Sequence, residues 1–423
     1  MTYTDPKNLL KFNRFDVAAK HLFLEHLEND YDTDFGLNVY ASHINVWNGF
    51  TEYDNQEKNS LQTYIDTFRS INESIKDNGY DPELAPVPVN KDGYLLNGSH
   101  RLASCLTHDK QINYEETSDP TAGQEDCTSY FFRDKGLGFR VCDAMAIQYA
   151  KMKENTYVVT LFPAATVKEN INEVRRILME NGDVIHEKGA ILTGQGPLNL
   201  MRQMYDGENW GGDFSNEFHG FNLKAHFCYS SAPNSPTYAF LAEFDCVDTV
   251  QEVKQKIRDL YNIDNHSVHI NDTHEETLRL SRIFFNNNSL SYLNGAVIQD
   301  YKRYNHLIKG LKEWTKENKY NSDDICVTAS SVMSAYGMRE GQDLDYLYGG
   351  NVVPMQGNHL INEHNKEIHN YTVRKDDILY NDFNHFYFDD VKFASIGVIH
   401  DLKNKISEPK DVKDIELMKG ALV

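Results

Sequence analysis

Residues 157–190, YVVTLFPAATVKENINEVRRILMENGDVIHEKGA, decide the class of the fold. Residues 157–162 are mostly β-branched or aromatic, which predicts a buried strand. A helix is predicted over residues 167–180, and the turn Asn181-Gly182 separates it from a second strand at residues 183–190. The segment therefore mixes strand and helix within one unit.

The same alternation continues downstream. A helix is predicted over 198–205, a strand over 238–244, a helix over 250–261, a short strand within 266–272 and a helix from 273. This β-α-β-α-β-α order predicts a split-βαβ, ferredoxin-like sheet.

The flanking regions predict two further α+β units. Upstream, residues 60–79 have apolar side chains at helical spacing, and a strand is predicted at 87–89. Downstream, we predict a helix over 301–318, a strand over 324–327, a helix over 332–337, and strands over 377–380 and 391–396. The predicted fold class is multi-domain α+β, with domains at residues 1–152, 153–300 and 301–423.

Composition limits the function classes. The 423 residues carry 63 acidic and 42 basic side chains, a net charge of −21, which repels nucleic acid and anionic membranes. No apolar run approaches the roughly 18–20 residues of a membrane span, and the first residues, MTYTDPKNLLKFNRF, lack the pattern of a secretory signal. Six scattered cysteines without a CxxC pair indicate free thiols. We expect a cytoplasmic protein without nucleic-acid partners or membrane insertion.

The first candidate site is the segment Asn97-Gly98-Ser99-His100-Arg101. Gly98 permits close backbone approach, and free N–H groups at a helix start could hold an anion, with charge added by His100 and Arg101. The alternative is an Asn-Gly turn in which Ser99 caps the helix and Arg101 faces solvent.

The surrounding motif, from Ser70-Ile71 through Asn78-Gly79, Pro88 and Asp92-Gly93 to His100-Arg101, resembles the ParB/sulfiredoxin-type module. The resemblance implies that this turn binds nucleotide phosphates, as in ADP- or ATP-dependent kinases of free serine. Asn97 stands where that family has an acidic residue or a second glycine.

The second candidate site is His269-Ile-Asn-Asp272-Thr-His-Glu275. At a strand-to-helix turn, Asp272 could cap the helix while Glu275 orients His269 as a nucleophile or base. The alternative is a capping box, Asp272 with Glu275, beside a surface histidine. With Phe284-Phe285 downstream, the motif resembles the active-site segment of nucleoside diphosphate kinases, which implies a transiently phosphorylated His269.

The third candidate site combines Ser330-Ser331 with Asp343-Leu-Asp345. Two carboxylates at positions i and i+2 of a strand point to the same face, where both can hold Mg²⁺, and a turn of small residues lets phosphates approach the backbone. An Asp-x-Asp on a solvated strand edge is the alternative.

This segment, with the downstream Lys410-Asp411-Val-Lys-Asp414-Ile415, resembles minimal nucleotidyltransferases of capsule and surface-polysaccharide proteins. The resemblance implies metal binding by Asp343 and Asp345, phosphate binding by Ser330 and Ser331, and a third carboxylate, for which Asp377 is the candidate.

Together the three sites predict a nucleotide-dependent phosphoryl- or nucleotidyltransferase that uses Mg²⁺ and ATP or another nucleoside triphosphate on a small metabolite or sugar. The alternative is a nucleotide-binding or regulatory assembly protein without turnover. Phe162, His266 and Ala329 favour that alternative, because they stand where the resembled families have Lys, Asn and Gly.

Overall fold

The computed structural model describes residues 2–52, 57–81, 84–117, 127–166 and 171–421. These residues form an α+β structure with three separate sheets, which confirms the predicted fold class. Each sheet is built from strands of one of the three regions delimited above.

The first region combines helices with a small sheet. Its elements are β1 (Thr2–Thr4), α1 (Asp16–Glu28), α2 (Phe35–Asn48), α3 (Leu61–Asn78), β2 (Val87–Val89), α4 (Ser99–Thr107), β3 (Ile112–Glu116), α5 (Ser129–Asp134) and α6 (Phe139–Met152). The strand order is β1-β3-β2. Helix α3 agrees with the predicted helix. Ser60 caps its start in a capping box with Thr63, and Gly79, at φ 71°, ends it.

The middle region contains the predicted split-βαβ sheet. Its elements are β4 (Thr156–Leu161), α7 (Pro163–Thr166), α8 (Ile171–Asn181), β5 (Asp183–Ala190), α9 (Gly196–Met204), α10 (His219–Tyr229), β6 (Thr237–Glu243), α11 (Val247–Tyr261), β7 (Val268–Ile270), α12 (His274–Phe284) and α13 (Asn287–Gly295). The strands follow the order β5-β6-β4-β7, and all neighbouring pairs are antiparallel. Strands β4 and β5 are connected through α8 along the chain, and β6 lies between them in the sheet.

The last region is a mixed sheet flanked by helices. Its elements are α14 (Lys302–Glu317), β8 (Ile325–Thr328), α15 (Ser330–Ala335), β9 (Leu344–Tyr348), β10 (Ile361–Glu363), α16 (Lys375–Tyr380), β11 (His385–Phe388), β12 (Val391–Ala394), α17 (Ile396–Ile406) and α18 (Pro409–Met418). The strand order is β10-β9-β8-β12-β11. Strand β8 is fully buried and pairs with β9 antiparallel and with β12 in parallel.

The three regions share one continuous hydrophobic core, which extends from Leu9 to Ala421. A half-buried ion pair also joins the middle and last regions: the Arg282 guanidinium lies 2.6 Å from the Asp323 carboxylate. Tyr387 donates a hydrogen bond to the same carboxylate at 3.0 Å. The regions therefore pack as parts of one body.

One local prediction is wrong. Residues 377–380, predicted as a strand, belong to α16, because the three-residue apolar run that follows Asp377 does not distinguish strand from helix. Asp376 and Asp377 in the first turn favour the helix start.

Two general expectations can be compared with the structure. All six cysteines are free, and five of them are buried. Within the described ranges, the helices are too short or too polar to cross a membrane.

Candidate functional site

The turn between β8 and α15 brings the predicted serines and aspartates together. Ser331 Oγ accepts a hydrogen bond from the Asp345 backbone N–H at 2.9 Å and donates one to the Asp343 carbonyl at 3.4 Å. These contacts fix the start of β9 against the start of α15. Ser331 therefore positions the backbone of Asp343 and Asp345. A phosphate could contact the Ser331 hydroxyl, as predicted, only by replacing these two hydrogen bonds.

Ser330 differs from Ser331. Its side chain is half-buried, and its hydroxyl forms no hydrogen bond with any residue that the structure describes. Ser330 is the serine of the pair whose hydroxyl is free to contact a ligand.

The carboxylate of Asp345 is half-buried and has neither a hydrogen bond nor an ion pair within the described ranges. Burial and the nearby charge of Asp343 raise the pKa of Asp345 to about 7, against the opposing effect of Lys403 and Lys410. A bound cation would relieve both effects, so this is an electrostatically favourable place for one.

The predicted third carboxylate, Asp377, is engaged elsewhere. It accepts hydrogen bonds from Thr33 Oγ1 at 2.6 Å and from Arg374 Nε at 2.8 Å, at the contact between α16 and the first region. The side chain that completes the site is instead Asn362, which lies opposite Asp345 in the β10–β9 pairing and donates from Nδ2 to Asp343 Oδ2 at 3.1 Å.

The site supplies two carboxylates and an amide. Among the described residues, no group of three or more His, Cys, Asp or Glu side chains could hold a metal ion. Mg²⁺ is commonly held by one or two carboxylates and completed by substrate phosphates and water. The residues present therefore fit an ion whose remaining ligands are water or a phosphate.

Ala329 has a strained backbone, with φ 51° and ψ −136°. This region is accessible to glycine and costs other residues about 1–3 kcal/mol. The turn thus keeps a glycine-type conformation although its residue is alanine, which indicates that the surrounding structure imposes it.

We expect Ala329→Gly to stabilise the protein by about 1 kcal/mol, since relief of strain outweighs the added entropy of the unfolded chain. Chemical denaturation of both proteins measures the difference. The matched control is Ala335→Gly within α15, which should destabilise by about 1 kcal/mol. Destabilisation by both substitutions would show that the turn is not strained.

Ion pairs join helix α18 to α17 and to the loop before β9. Lys403 Nζ lies 2.9 Å from Asp411 Oδ1 and 2.6 Å from Asp414 Oδ2. Arg339, in the loop before β9, forms a bidentate pair with Asp414 at 2.7 Å for both bonds. The Lys-Asp-x-x-Asp motif therefore has a structural role in holding α17 and this loop together.

His269 lies on β7, where it pairs with Thr160 of β4. Its ring packs edge-on against Tyr205, with ring centroids 5.0 Å apart, and its Nε2 is buried without a hydrogen bond. Burial, followed by the charges of Lys254 and Lys224, lowers the pKa of His269 to about 3. The imidazole is therefore neutral at physiological pH.

The predicted partners of His269 do not contact it. Helix α12 is capped by Thr273 in a capping box with Glu276, one residue after the predicted Asp272–Glu275 pair. Asp272 is exposed and accepts hydrogen bonds from Gln251 and Lys254, and Glu275 is exposed. The predicted capping and orienting roles of Asp272 and Glu275 are therefore wrong, because the competing Thr-x-x-Glu box shifts the helix start.

His269 lines a pocket of about 550 Å³ between α10, α11 and β7. Three cationic side chains share this lining: Lys224, Lys254 and Arg258. Sequence reasoning missed the set because its members are scattered over two helices and a strand. The one available signal was Arg258, eleven residues before His269.

The Asn97–Arg101 turn is held by packing. Gly98, at φ 100°, precedes α4, and a Cβ there would lie 2.6 Å from Val87 Cγ1. Arg101 Nη1 donates to Tyr80 Oη at 2.9 Å and to the Ala85 carbonyl.

His100 does not provide the charge expected from it. Its Nε2 lies 2.9 Å from Tyr40 Oη, and its ring packs edge-on against Phe68 at 4.5 Å. Burial, together with the nearby charges of Lys20 and Lys58, holds the pKa of His100 well below its ordinary value. The predicted contribution of His100 to a charged anion site is therefore wrong.

Of the places considered as candidate sites, two present polar groups without partners among the described residues: the turn with Ser330 and Asp345, and the pocket with His269 and Arg258. Comparison with protein-family models, curated proteins and solved structures finds no match to this chain.

Proposed function

We propose that this protein is a nucleotide-dependent transferase that moves a phosphoryl or nucleotidyl group to a small metabolite or sugar. The observation that carries the proposal is the Asp345 carboxylate, which lies beside Asp343 and has no hydrogen bond or ion pair with any described residue. In the adjacent turn, the backbone of Ala329 is strained and the Ser330 hydroxyl forms no hydrogen bond with a described residue. Strain and a perturbed pKa at one place are typical of functional sites.

In this proposal Asp343 and Asp345 hold Mg²⁺, whose charge would stabilise the reacting phosphate. Ser331 fixes the backbone of Asp345, and Asn362 orients the carboxylate of Asp343. The Ala329-Ser330 backbone offers close approach to the phosphates, to which the Ser330 hydroxyl adds a hydrogen bond.

The biological setting is part of the same proposal. The resemblance to nucleotidyltransferases of surface-polysaccharide proteins supports a sugar or a related metabolite as the acceptor. The free cysteines support a reducing compartment, the cytoplasm, and the net charge of −21 supports a small-molecule rather than a nucleic-acid substrate.

Thermal unfolding of the full chain with Mg-ATP, Mg-CTP, Mg-GTP or Mg-UTP tests the proposal. A nucleotide at about 100 times its dissociation constant stabilises by about 2.7 kcal/mol, and EDTA should abolish the resulting rise in Tm. ³¹P NMR with candidate acceptors then detects transfer. Asp401→Asn is a matched control, because Asp401 is an exposed aspartate of α17. Absence of any Mg-dependent shift with the four nucleotides would refute the proposal.

The second candidate function is a nucleotide-binding assembly protein without turnover. Asn362 favours it, since an amide stands where a third carboxylate would complete a metal site.

We expect Asn362→Asp to tighten Mg²⁺ binding about tenfold at pH 8, because ligand charge governs affinity for hard cations. Isothermal titration of Mg²⁺ measures the effect. Turnover in the variant combined with none in the natural protein would establish the second candidate, whereas turnover in both establishes the first. Unchanged Mg²⁺ affinity would show that Asn362 does not border the metal.

A further inference from the structure

The pocket beside His269 has walls of two kinds. Its basic residues are Lys224 of α10, Lys254 and Arg258 of α11, with His266 and His269. Its aromatic residues are Tyr205, Trp210 and Phe227. None of the lining residues is Asp or Glu. In a chain of net charge −21, a pocket lined only by basic, neutral polar and apolar groups is a local reversal of charge.

The positive charge in the pocket is only partly compensated. The Arg258 guanidinium has no ion pair or hydrogen bond within the described ranges, and its Nε is buried. Lys224 Nζ donates to the carbonyl of Asn265, a neutral group. Lys254 lies 3.3 Å from Asp272, whose side chain is 61% exposed, so this pair is weak. About two positive charges are therefore left for a ligand to balance, because desolvated unpaired cations are costly.

The mouth of the pocket is apolar. Trp210, Leu223 and Phe227 are exposed to 46%, 46% and 54%, although such side chains are usually buried. Apolar walls with a few converging polar groups are typical of sites for small organic molecules, and 550 Å³ is within the range of such sites.

We propose that this pocket binds a phosphate monoester of a small organic molecule. The phosphate dianion contacts Arg258, Lys224 and Lys254, and the organic body packs against Trp210 and Phe227. Arginine suits this role because its planar guanidinium binds phosphate oxygens in pairs. Neutral His269 adds a hydrogen bond without adding charge. The inference is independent of the transferase proposal, because the pocket shares no residue with the Asp343–Asp345 site.

Isothermal titration of the full chain with phenyl phosphate at pH 8 and low salt tests the proposal. Phenyl sulfate is the matched probe, since it has the same ring and one negative charge fewer. We expect phenyl phosphate to bind about tenfold more tightly than phenyl sulfate, and Arg258→Gln to weaken its binding by about ten- to a hundredfold.

Two variants separate this pocket from other sites. Lys256→Gln removes an exposed lysine of the same helix α11, and Asp345→Asn removes the proposed metal ligand; both should bind phenyl phosphate as the natural protein does. Quenching of tryptophan fluorescence by the probe should disappear in Trp210→Phe. Circular dichroism confirms that each variant is folded.

Three results would overturn the proposal: no binding of phenyl phosphate at millimolar concentration, equal affinity for phenyl sulfate, or unchanged affinity in folded Arg258→Gln. Loss of binding in Asp345→Asn would also overturn it, because the probe would then occupy the carboxylate site.

Discussion

Asp345→Asn is expected to remove Mg-dependent nucleotide turnover and, at the same time, to raise thermal stability at pH 8. In the proposed transferase, loss of a metal ligand removes several kcal/mol of transition-state stabilisation, so turnover should fall by a factor on the order of 10²–10³. Stability should rise because the amide is isosteric with the carboxylate and removes a charge that burial and Asp343 disfavour.

The direction of the expected change in stability follows from the pKa of Asp345. The pKa of Asp345 is raised to about 7 in the folded protein, above the ordinary value of about 4. The folded state therefore binds the proton more tightly, and its stability falls as pH rises from about 4 to 7. The Asp345→Asn variant has no such loss, so the Tm difference should be large at pH 8 and vanish near pH 4.

Mg²⁺ provides the decisive comparison. It should raise the Tm of the natural protein and of Asp401→Asn, and leave that of Asp345→Asn unchanged. If Asp345→Asn keeps turnover, or is less stable than the natural protein at pH 8, Asp345 has an ordinary structural role.

Asp16→Asn is expected to destabilise the protein by about 3–5 kcal/mol, because it leaves two buried cations without their shared anion. Asp16 Oδ1 and Oδ2 accept from Arg14 Nε at 2.9 Å and Nη2 at 2.8 Å, and Lys20 Nζ donates to Oδ2 at 2.6 Å. Lys20 Nζ also lies 3.2 Å from His43 Nε2. All four side chains are buried. Urea unfolding followed by circular dichroism measures the loss.

The matched control for this prediction is Glu154→Gln. Glu154 pairs with Lys7 at 3.1 Å on the surface, so its removal should cost less than about 1 kcal/mol. Equal losses in the two variants would contradict the assigned role of the buried cluster.

The contribution of Asp16 also has a defined pH dependence. Burial opposes its ionisation, but Arg14 and Lys20 outweigh this and hold the pKa of Asp16 well below its ordinary value. The stabilisation is therefore present above about pH 4 and is lost as pH falls below it, whereas Asp16→Asn should lack this acid-sensitive component.

Sequence patterns were sufficient for most of the elements and for the proximity of the Ser330-Ser331 turn to Asp345. Strands β4, β5 and β6 lie within a residue or two of their predictions because β-branched runs and turn residues act locally. Ser331 and Asp345 were predicted to share a site from the turn of small residues followed by the Asp-x-Asp pattern, and the β8–β9 pairing brings them together.

The protonation state of His100 and the location of Asp377 depend on tertiary contacts, which no local sequence pattern contains. His100 was expected to be charged, but burial beside Phe68 and the charge of Lys20 hold its pKa well below the ordinary value. Asp377 was expected at the metal, but contact with Thr33, 344 residues away in the chain, holds it elsewhere. Burial and long-range pairing decide both outcomes.

By itself, the sequence determined the α+β class and the Ser330–Asp345 turn, because both depend on spacing within short segments. Only the tertiary structure brought Lys224, Lys254, Arg258 and His269 around one pocket. The physical reason is that spacing along a helix or strand sets which face a side chain occupies. The packing of α11 against β7, and of α10 against the turn at Asp264–His266 before β7, decides which faces meet and how far their charges are removed from water.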